Sequence, residues 1–138
     1  MRVVLDASAL AKWFLVEEES REMRLLRDKI IGSEVEAHVP SLVFVELAGL
    51  LRYMGGLTPG DVADGVVAAM SIGLVVHDFV EVLSEAVSIA FEKGLTVYDS
   101  IYVALAERLD AVLVTYDKVL LREVKRSKKA SQLLEAYS

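Results

Sequence analysis

Apolar residues recur along this chain in two rhythms. In the first, short runs are apolar at nearly every position: Val3–Leu5, Ala37–Val39, Leu74–His77 and Ala111–Thr115. Runs of this length, with no polar face, predict strands of a parallel sheet that is covered by helices on both sides.

In the second rhythm apolar residues return every three or four positions, which predicts helices. Ser20–Ile31 places Met23, Leu26 and Ile30 on one face with charges on the other, and Gly32 follows as a stop. Ser41 can cap a helix from Leu42 to Met54 that ends at Gly55-Gly56. Thr58-Pro59-Gly60-Asp61 has the form of a capping box with proline at the first helical position, and it opens a helix toward Ile72. So few residues join these two helices that they form a hairpin. Phe79–Lys93 is the next helix, stopped by Gly94, and Thr96–Leu109 follows with Ile101, Leu105 and Leu109 on one stripe. Shorter helical patterns, Ala9–Val16 and KVLLREV, are preceded by Asp6 and Asp117.

Alternating strands and helices predict an α/β fold, a three-layer α/β/α sandwich around a central parallel sheet. In such folds ligands bind beyond the carboxyl ends of the strands, where strand order reverses. The polar residues at those ends therefore carry the functional question.

Composition narrows the classes. The 138 residues suit one domain over 1–138, and 54% apolar against 26% charged residues excludes a disordered chain. The absence of cysteine excludes disulfides and cysteine-based chemistry and is compatible with a cytoplasmic protein. Asp6 breaks the opening apolar run too early for a signal peptide. The greasiest stretch, Val66–Val76, is far short of the ~20 residues of a membrane span. A net charge of −6 argues against holding nucleic acid by bulk electrostatics, yet Lys118, Arg122, Lys125, Arg126, Lys128 and Lys129 cluster against the single acid Glu123. That run reads either as a solvated terminal helix face or as a phosphate-contacting patch.

Four acids stand out. Asp6 and Asp117 each close a strand and precede a helix, so each reads alone as an N-cap. Asp99 sits where a capping box from Thr96 would end, but its stripe continues through Val103 and Ala106. Glu46 is harder to place innocently. Its helical neighbours are Leu42, Val43, Gly49 and Leu50, and an unpartnered carboxylate there costs several kcal/mol. It needs a partner: Lys12 in the run ALAKWFLV is the structural candidate, a cation the functional one. Taken together, four carboxylates at the same edge of a sheet repel one another, and a hard divalent cation such as Mg²⁺ or Mn²⁺ relieves the conflict. Such a site acts on phosphates without any side-chain nucleophile.

Ser8 and Thr115 flank these acids and read either as ordinary polar residues or as hydrogen-bonding support. His38 and His77 read as satisfied sheet histidines and Asp78 as a cap. Trp13, Phe14, Tyr98 and Tyr102 read as core residues rather than stacking platforms.

VVLDASALAKWF, VPSLVFVELAGLL and LTVYDSIYVALAERLDAVLVTYD, in that order and spacing, resemble the PIN-domain family, in particular VapC-type toxin ribonucleases. The resemblance covers nearly the whole chain. It implies an α/β/α sandwich that gathers four acids around Mg²⁺ or Mn²⁺ and cuts RNA. The family's acids match Asp6, Glu46, Asp99 and Asp117, and its hydroxyl near the first acid matches Ser8. Asp6 and Asp99 are then direct metal ligands, Glu46 orients water or completes the shell, and Asp117 is supplementary. The resemblance further implies a homodimer and a small antitoxin whose tail covers the acidic cleft. The apolar hairpin 42–72 suits such an interface or is simply core. One departure is Tyr116, where the family often has a small residue before the fourth acid. Its bulk is expected to narrow the substrate groove or stack on a base.

The competing classes are a stand-alone RNA-processing nuclease, a non-catalytic binding subunit on the same fold, and a phosphotransfer domain. The last fits poorly. Asp6 lacks the second acid two positions on that haloacid dehalogenase-like phosphatases carry, and Leu5 occupies the place where receiver domains put an acid pair.

Overall fold

The computed structural model describes residues 1–137. Strand β1 (Arg2–Leu5) runs into a one-turn helix α1 (Ala7–Ala11), followed by α2 (Ser20–Ile31), β2 (Glu36–Pro40) and the hairpin α3 (Leu42–Arg52) and α4 (Pro59–Met70). Then come β3 (Val75–His77), a 3₁₀ turn at Phe79–Val82, α5 (Leu83–Lys93), α6 (Val97–Leu109), β4 (Val112–Val114), α7 (Lys118–Glu123), β5 (Ser127–Lys128) and α8 (Ala130–Tyr137). The expected α/β/α sandwich is what forms.

The sheet order is β3-β2-β1-β4-β5, and every pair is parallel. β1 is central, with Val3 opposite both Ala37 and Val112, and Val3, Val4 and Leu5 are wholly buried. A strand flanked and covered on both faces has no place for a polar side chain, so its sequence is unbroken Val-Val-Leu. The chain moves one way from β1 to β3 and then jumps back across the sheet to β4. Right-handed crossovers therefore put α1–α4 on one face and α5 and α6 on the other. α6 packs along β1, β2 and β4 with α5 outside it, and seven consecutive residues, Ser100–Ala106, are buried.

Local signals act as the sequence predicts at several ends. Thr58 and Asp61 close a reciprocal capping box with Pro59 at the first helical position, and Gly94 ends α5 at φ +66. Gly65 is where α4 closes on α3, because a Cβ there would sit 3.2 Å from Leu51.

Other ends differ from expectation. The run Ala9–Val16 is helical only to Ala11 and starts earlier, at Ala7. Phe79–Val82 is a tight turn before α5 because Asp78 caps it, accepting from the Val80 amide at 3.1 Å. Ser41 does not cap α3, and its hydroxyl accepts instead from the Phe79 amide. The basic segment 118–129 is no single helix face: it folds as α7, a turn and edge strand β5.

Candidate active site

Strand order reverses between β1 and β4, and Asp6 and Asp117 follow their two ends. Asp6 is buried and uses both oxygens. Oδ1 accepts from the Ser8 hydroxyl at 2.6 Å and the Ala9 amide at 3.0 Å, and Oδ2 accepts from Thr115 at 2.5 Å. Asp6 is thus the N-cap of α1 while it also lines a pocket. Thr115, wholly buried, accepts from the Asp117 amide at 3.0 Å, so one hydroxyl links the first and fourth acids. Asp117 caps α7 through the Leu120 amide at 3.0 Å. Ser8 also accepts from the Tyr116 amide at 2.9 Å, which ties α1 to the end of β4.

Glu46 and Asp99 arrive on helices from opposite faces of the sheet. Glu46 projects from the middle of α3, half-buried, and its carboxylate accepts from the Tyr102 hydroxyl. Tyr102 stands one turn beyond Asp99 on α6, so a single helix supplies one acid and holds another. Thr96 caps α6 through the Asp99 amide at 3.0 Å, but the Asp99 carboxylate does not complete a reciprocal box and faces the pocket. All four acids and Ser8 line one cavity of about 350 Å³.

Burial raises the Asp6 carboxyl from 3.8 to about 6, against hydrogen bonds that lower it, with a further push from Asp117. Burial likewise raises Glu46, with Asp99 adding to the rise and the Tyr102 bond opposing it. Asp99 is raised by burial and by the Asp117 charge. Three carboxyls pushed the same way, each partly by a neighbouring carboxylate, form a site that is electrostatically incomplete by itself. Among the described residues no lysine, arginine or histidine lines it, and no three His, Asp or Glu side chains enclose an ion directly. A set of hard oxygen donors around an open cavity fits Mg²⁺ or Mn²⁺, which keep several waters and take few carboxylates.

The remaining candidates sort themselves out. Lys12 does not pair with Glu46: its ammonium binds Glu17 at 2.8 Å and the Glu18 carbonyl at 2.9 Å, above the Tyr116 ring. Tyr116 neither narrows the cavity nor stacks there. Its hydroxyl donates to Glu19 at 2.9 Å and accepts from the Ala130 amide, while Glu19 also takes the Ser131 amide, so the pair latches the start of α8. Trp13 is core, with its indole bonded to the Met23 carbonyl, but Tyr98 is 62% exposed and is not. His38 and His77 satisfy each other at 2.8 Å, and Glu36 takes the far nitrogen of His38. Within the basic segment Arg126 binds the Ala111 carbonyl and Asp110, a structural tie, and Arg122 pairs with Glu123.

The PIN domain family model matches residues 3–127. The chain belongs to the PIN-domain family. Within that family it is 34% identical to Ribonuclease VapC3 of Pyrobaculum aerophilum over 125 residues, 87% of this chain and 92% of the relative. The crystal structure of PAE2754 from the same organism superposes with a TM-score of 0.72 at 27% identity, over 99% of this chain and 94% of that one. VapC20 of Mycobacterium tuberculosis, described as a sarcin-ricin loop cleaving toxin, superposes at 0.67 with 13% identity over 87% of this chain and 94% of its own. VapBC2 of Rickettsia felis, solved on a fragment of promoter DNA, superposes at 0.66 with 15% identity over 94% and 98%. At those last two identities the likeness shows the PIN fold alone.

Sequence reasoning assigned Tyr102 to the core, took Gly49 and Leu50 only as apolar neighbours of Glu46 and did not consider Tyr53, yet all four line this PIN domain's acidic cavity. The signal was available as helical spacing. Tyr102 follows Asp99 by three, and Gly49, Leu50 and Tyr53 follow Glu46 by three, four and seven.

Proposed function

We propose that this PIN domain is a divalent-metal-dependent endoribonuclease, the toxin of a VapBC-type toxin–antitoxin pair, which hydrolyses RNA phosphodiesters with a metal-activated water. The observation that carries the reading is the gathering of four carboxylates, three with raised affinity for protons, in one cavity that no cationic side chain among the described residues lines. The similarity to Ribonuclease VapC3 supports the RNA substrate.

Asp6, at the end of β1, and Asp99, in the first turn of α6, would hold the metal, with Glu46 completing the shell or orienting a water and Asp117 in a supporting place. Ser8 and Thr115 fix Asp6, so that its carboxylate is oriented before substrate arrives. A bound Mg²⁺ or Mn²⁺ acidifies water and offsets charge on the phosphoryl oxygens. The chain acts as one domain over 1–138, in the cytoplasm where RNA is met, as a homodimer restrained by a small antitoxin. The exposed Val45, Val67 and Met70 on the α3–α4 hairpin support protein contacts there.

Purified protein with Mg²⁺ or Mn²⁺ is expected to cut single-stranded RNA, chelator to stop it, and Asp99→Asn to abolish it with the fold intact. Undiminished cleavage by Asp99→Asn overturns the reading. A short adjacent gene for a DNA-binding antitoxin separates the toxin from a stand-alone RNA-processing nuclease.

A further inference from the structure

Glu46, Gly49, Leu50 and Tyr53 stand at i, i+3, i+4 and i+7 on α3 and its C-cap, so they form one stripe. All four line the acidic cavity. The stripe begins with an acid and continues as a shelf without charge. Leu50 is 44% and Tyr53 83% exposed, with the Arg52 guanidinium 5.6 Å from the Tyr53 ring centroid. A Cβ built on Gly49 would meet nothing within 4 Å. Helix interiors disfavour glycine, and here no packed neighbour requires one. A bare patch of backbone beside an exposed aromatic ring leaves a flat, open surface continuous with the acids.

A nucleotide has the matching two parts, a phosphate and a planar base. We propose that Gly49, Leu50 and Tyr53 form a nucleobase subsite, which seats the base next to the phosphate engaged by the acids, with the Tyr53 ring stacking on it. This rests on the ribonuclease reading above. Every base offers a π-face, so such a shelf binds RNA with little demand on sequence, and the acids are left to handle the phosphate. The larger groove of about 910 Å³ between α3 and α4 shares Gly49 but contains none of the four acids.

Three variants test it. Tyr53→Trp adds an exposed indole to a chain whose only tryptophan, Trp13, is buried. Its emission is expected to be quenched, in the presence of Mg²⁺, by adenosine 5′-monophosphate and not by ribose 5-phosphate, which lacks only the base. Tyr53→Ala should raise KM for a short single-stranded RNA by about tenfold, the scale of one lost base–aromatic stack, and change kcat far less. Gly49→Leu fills open space, so it should melt no lower than the parent yet weaken the RNA by a similar factor. Equal quenching by both phosphates, or unchanged KM in both Tyr53→Ala and Gly49→Leu, overturns the subsite. If those two variants keep their KM but lose a co-purified antitoxin, the shelf is a protein contact and the inference fails. Parent protein that cuts no RNA at all is a failure of the ribonuclease reading instead.

Discussion

The two halves of the acidic cavity are built differently. The strand-end half is knitted: Asp6, Ser8, Thr115 and the Asp117 amide share a continuous hydrogen-bond network, and both Asp6 oxygens are engaged. The helix-borne half is loose: Glu46 is held by the Tyr102 hydroxyl, and the Asp99 carboxylate faces the cavity beyond its capped amide. The difference teaches that burial and bonding are not the same thing. Asp6, the most tightly bonded of the acids, is still pushed up to about 6, because desolvation outweighs its donors. On the function proposed above, the preorganised half would fix where a cation binds.

The sharpest way to break that contrast is Thr115→Val. It keeps shape but removes the hydroxyl that serves Asp6 and Asp117, leaving a buried carboxylate oxygen without its donor at a cost of about 1–3 kcal/mol. Urea denaturation should show the loss, and RNA cleavage should fall by at least about tenfold. Unchanged stability would mean the strand-end network is not what orders the site.

Acid titration of the metal-free protein reads the same half from its electrostatics. The folded carboxyl of Asp6 lies above its ordinary 3.8, so the folded state binds that proton more tightly than the unfolded chain does. Its contribution to stability is fully present below about pH 4 and is lost as pH rises through 6, a change on the order of 3 kcal/mol. Unfolding free energy measured against pH should therefore carry a downward component between about pH 4 and pH 7 that disappears in Asp6→Asn.

The helix-borne half should respond more gently. Tyr102→Phe removes one hydrogen bond to Glu46 and no packing volume, so calorimetry should show Mn²⁺ bound about fivefold more weakly, the equivalent of roughly 1 kcal/mol. Combined with Glu46→Gln the two losses should not add, because they report one interaction. Additive losses would detach Tyr102 from Glu46.

Legibility followed locality. Asp6, Glu46, Asp99 and Asp117 could be found because each sits at a strand end or on an apolar helix stripe, features that depend on near neighbours in sequence. The buried strands β1, β2 and β4 were visible for the same reason. β5 was not: Ser127–Lys128 is two residues in a lysine-rich run, made a strand by pairing with Leu113 and Val114. Tyr116 misled because its partners, Glu19 and the start of α8, are distant in sequence. Lys12 misled through proximity of type, since Glu17 five residues away competes for it and wins. Tyr102 looked like core, and it is buried, but its hydroxyl belongs to the site.

The central claim is that four carboxylates form an incomplete site which a divalent cation completes. The most direct test is the melting temperature of chelator-treated protein as Mn²⁺ is added at neutral pH, compared with Asp99→Asn. Binding to the folded state alone stabilises by mass action, about 2.7 kcal/mol at a hundredfold excess over Kd. The account predicts a melting temperature that rises with Mn²⁺ by several degrees in the parent and far less in Asp99→Asn, whose metal-free form starts higher than the parent because a repelling charge is gone. A flat curve for the parent, or equal rises in both proteins, would contradict it.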